Sequence, residues 1–216
     1  MDYKKLIVES GKEIVKRGFT VETWGNISAF DAEDGKVYLT PSAMKYDSIS
    51  EEDVVVLDLE GNVLEGNRKP TIETGMHLGL YKARKDIRAI IHTHPMYSMI
   101  YACQGKNIPQ FTDEAAQRLG GEVLCTAQYQ LPGTAELAEE VVKAMPAEHM
   151  ACLIRNHGAV CTGRDMNEAF KTATILEVTA QQLYMIESTG GRAIGIAQEN
   201  IDYMWDFARN KYGQGK

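Results

Sequence analysis

A chain of 216 residues, 44% hydrophobic and 25% charged, can bury a sizeable core and has the balance of an ordinary soluble globular protein. Its net charge of −7 argues against a broad electrostatic surface for nucleic acid, yet leaves room for a small anion in a locally basic pocket. No run approaches a transmembrane span, the N-terminus lacks a signal-peptide core, and the cysteines at 103, 125, 152 and 161 show no CxxC spacing. A cytoplasmic protein with buried, reduced thiols is expected, folded as a single domain over 1–216.

Residues 3–17 carry Tyr3, Ile7, Ile14 and Val15 among charges, an amphipathic helix ended by Gly18. A glycine turn at Gly25 feeds a strand through Phe30, with 37–40 as its hairpin partner across Asp34-Gly35. A second hairpin joins 54–59 to 63–64 through Gly61-Asn62. After a loop holding Arg68 and Lys69, a helix is predicted over about 72–84, with Glu73 in its first turn. A short apolar strand then runs into His92 and His94 and is closed by Pro95, followed by a helix to about 102. Beyond it come a strand over 122–126 and a helix over 134–145, capped by Thr134, with Leu137, Val141, Val142 and Met145 inward. A buried strand at 151–154 is expected to resume at 159–161, and the longest helix spans about 165–187. The last segment, 198–212, carries Tyr203, Trp205, Phe207 and Tyr212. Hairpins mixed with helices predict an α/β fold, a mixed and largely antiparallel sheet with helices on its faces. No G-x-G-x-x-G or Walker A sequence indicates a nucleotide site.

His92 and His94, two apart on a strand, project from one face about 6–7 Å apart along the chain, so their imidazoles can converge on one metal ion. His157, in Asn156-His157-Gly158, can supply a third imidazole where Gly158 lets the backbone bend. Three neutral histidines leave the full charge on zinc and a coordination position free, the pattern of a catalytic site. Spacing alone equally admits incidental strand histidines. His77 shares a helix face with Glu73 and reads as a hydrogen-bonded structural partner, and His149 as a solvated turn residue. Glu73 suits a general base, although helix capping is the more ordinary use of a carboxylate there. Gly25, Asn26, Thr40, Ser42 and Thr71 are amides and hydroxyls on three loops, suited to cradling a phosphate but also common turn chemistry.

Taken together, Gly-Asn-Ile-Ser at 25–28, Leu-Thr-Pro-Ser at 39–42, Glu-Gly-Asn-Arg-Lys-Pro-Thr-Ile-Glu at 65–73, His-Thr-His at 92–94, Gly-Thr-Ala-Glu-Leu at 133–137 and Asn-His-Gly at 156–158 resemble the zinc-dependent class II sugar-phosphate aldolase/epimerase family. The segments occur in family order from about residue 5 to 187. The resemblance implies a three-layer α/β/α domain, zinc on His92, His94 and His157, Glu73 as acid/base, and phosphate on Gly25, Asn26, Ser42 and Thr71. It implies a homotetramer with active sites at subunit interfaces. In the fuculose-phosphate enzyme a C-terminal tyrosine from the neighbouring subunit protonates the aldehyde oxygen, and Tyr212 matches that position. The implied reaction is reversible cleavage of a ketose phosphate to dihydroxyacetone phosphate and an aldehyde.

Three positions depart from the fuculose-phosphate aldolase pattern. Ile72 replaces a phosphate-binding serine, Ala43 replaces a glycine, and Asp113 stands where that enzyme has an active-site tyrosine. An aspartate in that region serves as acid/base in the 4-epimerase, so Asp113 leaves a 4-epimerase open, whereas Glu73 is the aldolase-like residue. A dehydratase, a decarboxylase and a non-catalytic module like the adducin head are the further alternatives. Manganese, cobalt or iron would also suit imidazole ligands.

Overall fold

Side chains alternate between two hydrophobic cores along the middle strands, and that alternation sets the architecture. The computed structural model describes residues 1–213; the last three of the expected 1–216 domain, 214–216, lie outside the described residues. The helices are α1 (Tyr3–Lys16), α2 (Thr74–Ala83), α3 (Met96–Gln104), α4 (Asp113–Arg118), α5 (Ala135–Ala144), α6 (Met166–Ser188) and α7 (Gln198–Asn210). The strands are β1 (Asn26–Asp31), β2 (Lys36–Leu39), β3 (Val55–Leu57), β4 (Val63–Glu65), β5 (Ala89–Thr93), β6 (Leu124–Cys125), β7 (Ala151–Ile154) and β8 (Gly158–Gly163). They form one sheet in the order β4-β3-β2-β1-β5-β8-β7-β6, antiparallel throughout except where β6 runs parallel to β7.

Ile91 of β5, Leu153 of β7 and Cys161 of β8 enter one core, together with Ile7 and Ile14 of α1, Tyr101 of α3 and Leu176 and Leu183 of α6. Their neighbours Ile90, Cys152 and Val160 enter the other, against Met76 and Leu80 of α2 and Leu137 and Val141 of α5. Each such buried side chain contributes about 1.5–3 kcal/mol, and neither face of the central strands could be left to water. The result is the expected α/β arrangement, helices on both sides of a mixed sheet. His92 has the parity of Ile90, so it leaves the sheet on the α2 face, where Glu73 lies.

Local chemistry holds the helix ends. Asp2 accepts from Lys5 N (3.1 Å), Thr134 from Leu137 N (3.2 Å) and Asp165 from Glu168 N (2.7 Å), each satisfying an otherwise orphaned N–H. Helix α3 starts after Pro95, which has no capping side chain; Glu177 of α6 accepts instead from Tyr97 N (2.7 Å) and Ser98 N (2.8 Å).

Several expectations need correction. The apolar runs at 151–154 and 159–161 are two strands of a hairpin, Ile154 opposite Gly158, and not one strand resumed. Asn156 takes the left-handed conformation (φ 57°) in the loop between them, which asparagine tolerates. A break in an apolar run and a reversal have the same composition, so sequence pattern could not separate them. Helix α4, at six residues, is too short to display a helical period. His149 is half-buried and its Nδ1 is shielded without a hydrogen-bond partner, where a solvated ring was expected. Cys103 is exposed and Cys125 half-buried, so only Cys152 and Cys161 are the buried thiols expected of all four. Val142 is likewise only partly covered. Among the described residues no helix is long and apolar enough to cross a membrane.

Candidate metal and catalytic site

His92 leaves the end of β5, His94 follows one residue beyond it, and His157 comes from the loop between β7 and β8, the neighbouring hairpin. One nitrogen of each ring lies within 4.8 Å of the others. The ring centroids are 4.7, 4.9 and 5.1 Å apart with their planes 67–88° to one another, so the rings meet edge to face rather than stacking. His92 Nδ1–H donates to Ala159 O (3.0 Å), which leaves the Nε2 lone pair facing His94 Nε2 at 2.9 Å. Burial lowers the pKa of His92 to about 4. Burial and the neighbouring imidazoles lower His94 to about 3 and His157 to about 4, so all three are neutral at pH 7. Neutral, convergent imidazoles are the protonation state that a divalent metal requires.

Two glycines permit this approach. A Cβ on Gly158 would lie 2.5 Å from Thr93 O and 3.0 Å from both His92 Cε1 and His94 Cδ2. Gly25 has φ +73°, and a Cβ there would lie 2.6 Å from His92 O, so β1 could not close on β5 with a larger residue.

Glu73 is almost fully buried at the N-cap position of α2, but its side chain makes no capping bond, contrary to the more ordinary expectation for it. The carboxylate turns into the site: Oε2 lies 3.1 Å from His92 Nε2 and Oε1 3.4 Å from His157 Nε2. Asn26 Nδ2 donates to Oε2 (2.8 Å), while Oε1 is buried with no hydrogen-bond partner. Behind Asn26 stands a buried chain whose polarity follows from its members. Asn26 Oδ1 can only accept, so His77 Nε2–H donates to it (2.6 Å). His77 Nδ1 then accepts from the Ser28 hydroxyl (2.6 Å), and Ser28 Oγ from the Tyr81 hydroxyl (2.8 Å). Burial lowers the His77 pKa to about 3, which keeps the ring neutral as this chain demands. His77 is therefore the hydrogen-bonded structural partner expected of it.

A cavity of about 540 Å³ opens beside the histidines, with Gly25, Asn26, Ser42, Thr71, Glu73, His94 and His157 on its walls. Two of its loops are stitched together: Ser42 N donates to Lys69 O (2.9 Å) and Thr71 N to Thr40 O (3.3 Å). Ala43 holds a left-handed φ of 55° there. Thr40 itself is buried and accepts from Ile27 N through its hydroxyl (3.2 Å), which makes it scaffold for the cradle. The expected metal, base and phosphate residues are thus brought together in one place. Asp113 and Tyr212 are not: Asp113 is exposed in the first turn of α4, Tyr212 is exposed beyond α7 with its ring 5.9 Å from Phe207, and neither lines the cavity. Sequence reasoning missed Trp24, Thr23 and Pro132 on the cavity walls, and took Asn156, also there, only as the neighbour of His157. Trp24 could have been suspected, since it directly precedes the Gly25-Asn26 turn; the others carry no signal in sequence.

Residues 5–184 match the family described as Class II Aldolase and Adducin N-terminal domain. The chain is 39% identical over 184 residues to 5-deoxy-D-ribulose 1-phosphate aldolase of Bacillus thuringiensis serovar kurstaki, covering 85% of each chain. It is 28% identical over 218 residues to L-ribulose-5-phosphate 4-epimerase UlaF of Salmonella paratyphi B, covering 97% of this chain and 92% of the other. An L-fuculose 1-phosphate aldolase structure superimposes with a TM-score of 0.91 at 34% identity, covering 96% of both chains.

Proposed function

The chain belongs to the class II aldolase and adducin N-terminal domain family, and on that premise we propose that it is a metal-dependent aldolase cleaving a ketose 1-phosphate reversibly to dihydroxyacetone phosphate and an aldehyde. The observation that carries this reading is the buried Glu73 carboxylate, held 3.1 Å from His92 and 3.4 Å from His157 at the wall of the cavity. An adducin-like module would have no use for a desolvated carboxylate against three neutral imidazoles.

His92, His94 and His157 would hold one divalent ion, zinc by preference for an all-imidazole set, and bound there it supplies a Lewis acid for the charge released as the carbon–carbon bond parts. The chain's own residues do the rest. In cleavage the hydroxyl that becomes the aldehyde oxygen gives up its proton, and Glu73 Oε1, which has no other hydrogen bond to give up, delivers one to the carbon that becomes part of dihydroxyacetone phosphate; in condensation both transfers reverse. Asn26 fixes the other carboxylate oxygen, so the base cannot rotate away from the substrate. Gly25, Asn26, Ser42 and Thr71 seat the phosphate beside the start of α2. Asp113 and Tyr212 lie outside this cavity and serve as acid/base only if a neighbouring subunit presents them, as in a homotetramer with interfacial sites. The protein acts as one domain in the cytoplasm, on a small phosphorylated sugar and without nucleic acid or membrane.

Incubation with 5-deoxy-D-ribulose 1-phosphate and with L-fuculose 1-phosphate, under coupled detection of dihydroxyacetone phosphate, tests the reaction. Cleavage that stops on exhaustive chelation and returns with zinc is the expected result. Conversion of L-ribulose 5-phosphate to its C4 epimer without net cleavage would replace the aldolase by the epimerase reading.

A further inference from the structure

Helix α3 connects two of the three histidines. His94 stands just before it, with Pro95 as the N-cap and Met96 as the first helical residue. At the other end Ala102 O accepts from the N–H of Asn156 (3.1 Å), the residue before His157. His94 lies past the last ladder pair of β5 with β8, Thr93 opposite Ala159, and its own N–H donates to Phe19 O (2.9 Å). The start of α3 has no local cap, since Pro95 offers no side-chain acceptor. Glu177 of α6 takes that place from 79 and 80 residues away in sequence. Its Oε1 accepts from Tyr97 N (2.7 Å), and its Oε2 from Ser98 N (2.8 Å) and the Ser98 hydroxyl (2.7 Å). Further along the same pair of helices, the Tyr101 hydroxyl donates to Glu187 Oε2 (3.0 Å).

Resting on the metal-dependent reading of the site, we propose that Glu177 is a positioning residue for the metal centre: by capping α3 from α6, it sets where His94 and the His157 loop stand relative to His92. A carboxylate on two backbone N–H groups at a helix start is a charge-assisted contact that also complements the helix dipole. Two oxygens on two successive N–H groups fix a direction as well as a distance, so α3 can neither rotate about its axis nor slide along α6. A slide would carry His94 through Pro95, and Asn156 through Ala102 O, in one movement. His92, held in the ladder between β1 and β8, would stay where it is. The three imidazoles would then no longer meet on one ion. Glu177 does not line the cavity, so it acts through α3 alone.

The test is zinc competition against a chromophoric chelator for the metal-free wild type, Glu177→Ala, Glu177→Gln and Asp2→Ala, at a temperature where circular dichroism shows each folded. Asp2→Ala removes the cap of α1, a helix that carries no site residue, and so reports a lost cap alone. Zinc affinity is expected to fall about 10–100-fold in Glu177→Ala. It falls less in Glu177→Gln, which keeps one oxygen to accept from one of the two N–H groups, and not at all in Asp2→Ala. The visible bands of the cobalt-loaded protein report ligand geometry rather than stability, and they change in Glu177→Ala but not in Asp2→Ala. A folded Glu177→Ala with wild-type zinc affinity and cobalt bands overturns the proposal and leaves Glu177 a helix cap. An equal loss of affinity in Asp2→Ala overturns it as well. If Glu177→Ala does not fold, Glu177→Gln decides by the same two readouts. A wild type that binds neither metal defeats the metal-dependent reading itself, and the proposal with it. Neither readout involves a sugar phosphate, so the result is independent of which reaction the site performs.

Discussion

Replacing Gly158 by alanine asks the hairpin and the metal-binding strand to separate at the three histidines. The added Cβ would sit 2.5 Å from Thr93 O, against 3.4 Å for the near edge of ordinary contact, and 3.0 Å from both His92 Cε1 and His94 Cδ2. The carbonyl is backbone in the middle of the sheet and cannot rotate aside, so most of a missing ångström must come from moving β8 away from β5. Overpacking of this kind costs about 1–3 kcal/mol. The same displacement pulls two imidazoles off their common point, and disturbing the support of metal ligands typically costs about 10–100-fold in affinity. Guanidinium unfolding of the metal-free protein measures the first effect, and zinc competition against a chromophoric chelator the second. A variant that loses stability but keeps wild-type zinc affinity would show that this glycine contact does not set the imidazole geometry. A variant unchanged in both would refute the steric reasoning altogether.

Other perturbations separate the site's parts. Glu73→Gln should lower kcat about 10²–10⁴-fold, while the metal-free variant melts no lower than wild type, since the amide can still accept from Asn26 and no buried charge remains. His77→Phe strands Asn26 Oδ1 and the Ser28 hydroxyl, and a stability loss of about 1–3 kcal/mol is expected by chemical denaturation. Its kcat should fall as well, because the Asn26 amide is then free to turn from Glu73. Burial holds His77 at about 3 against an ordinary 6.5, so below pH 6.5 the unfolded chain takes up a proton that the folded chain refuses. Stability is thus fully present above pH 6.5 and falls on acidification, by up to about 1.4 kcal/mol per pH unit for this residue. His92, His94 and His157 add in the same direction in metal-free protein. Denaturant midpoints that stay constant between pH 7 and 5 would contradict the neutral, buried assignment of these rings.

Much of the molecule follows from local rules. Continuous apolar runs in 89–93 and 151–154, and the caps Thr134 and Asp165, specify strands buried on both faces and helices with defined starts. The spacing of His92 and His94 already put two imidazoles on one side of a strand, because the two-residue period of a strand is a property of the backbone. Glu73 shows where such rules end. Next to a helix start its carboxylate reads as a cap, and only the fold, by bringing Asn26 and His157 to it across 47 and 84 residues of chain, turns it into a site.

The rest was decided by long-range packing. Whether 155–158 interrupts a strand or reverses it depends on whether β8 can pair with β5 on its other side, which no local pattern records. The indole of Trp24, the left-handed Ala43 and the separation of Asp113 and Tyr212 from the cavity depend in the same way on which loops meet. Side-chain chemistry is written residue by residue, so the sequence alone determined which groups can bind a metal and a phosphate. Their distances are set by strand order and helix docking, so only the tertiary structure decided which of them share one cavity.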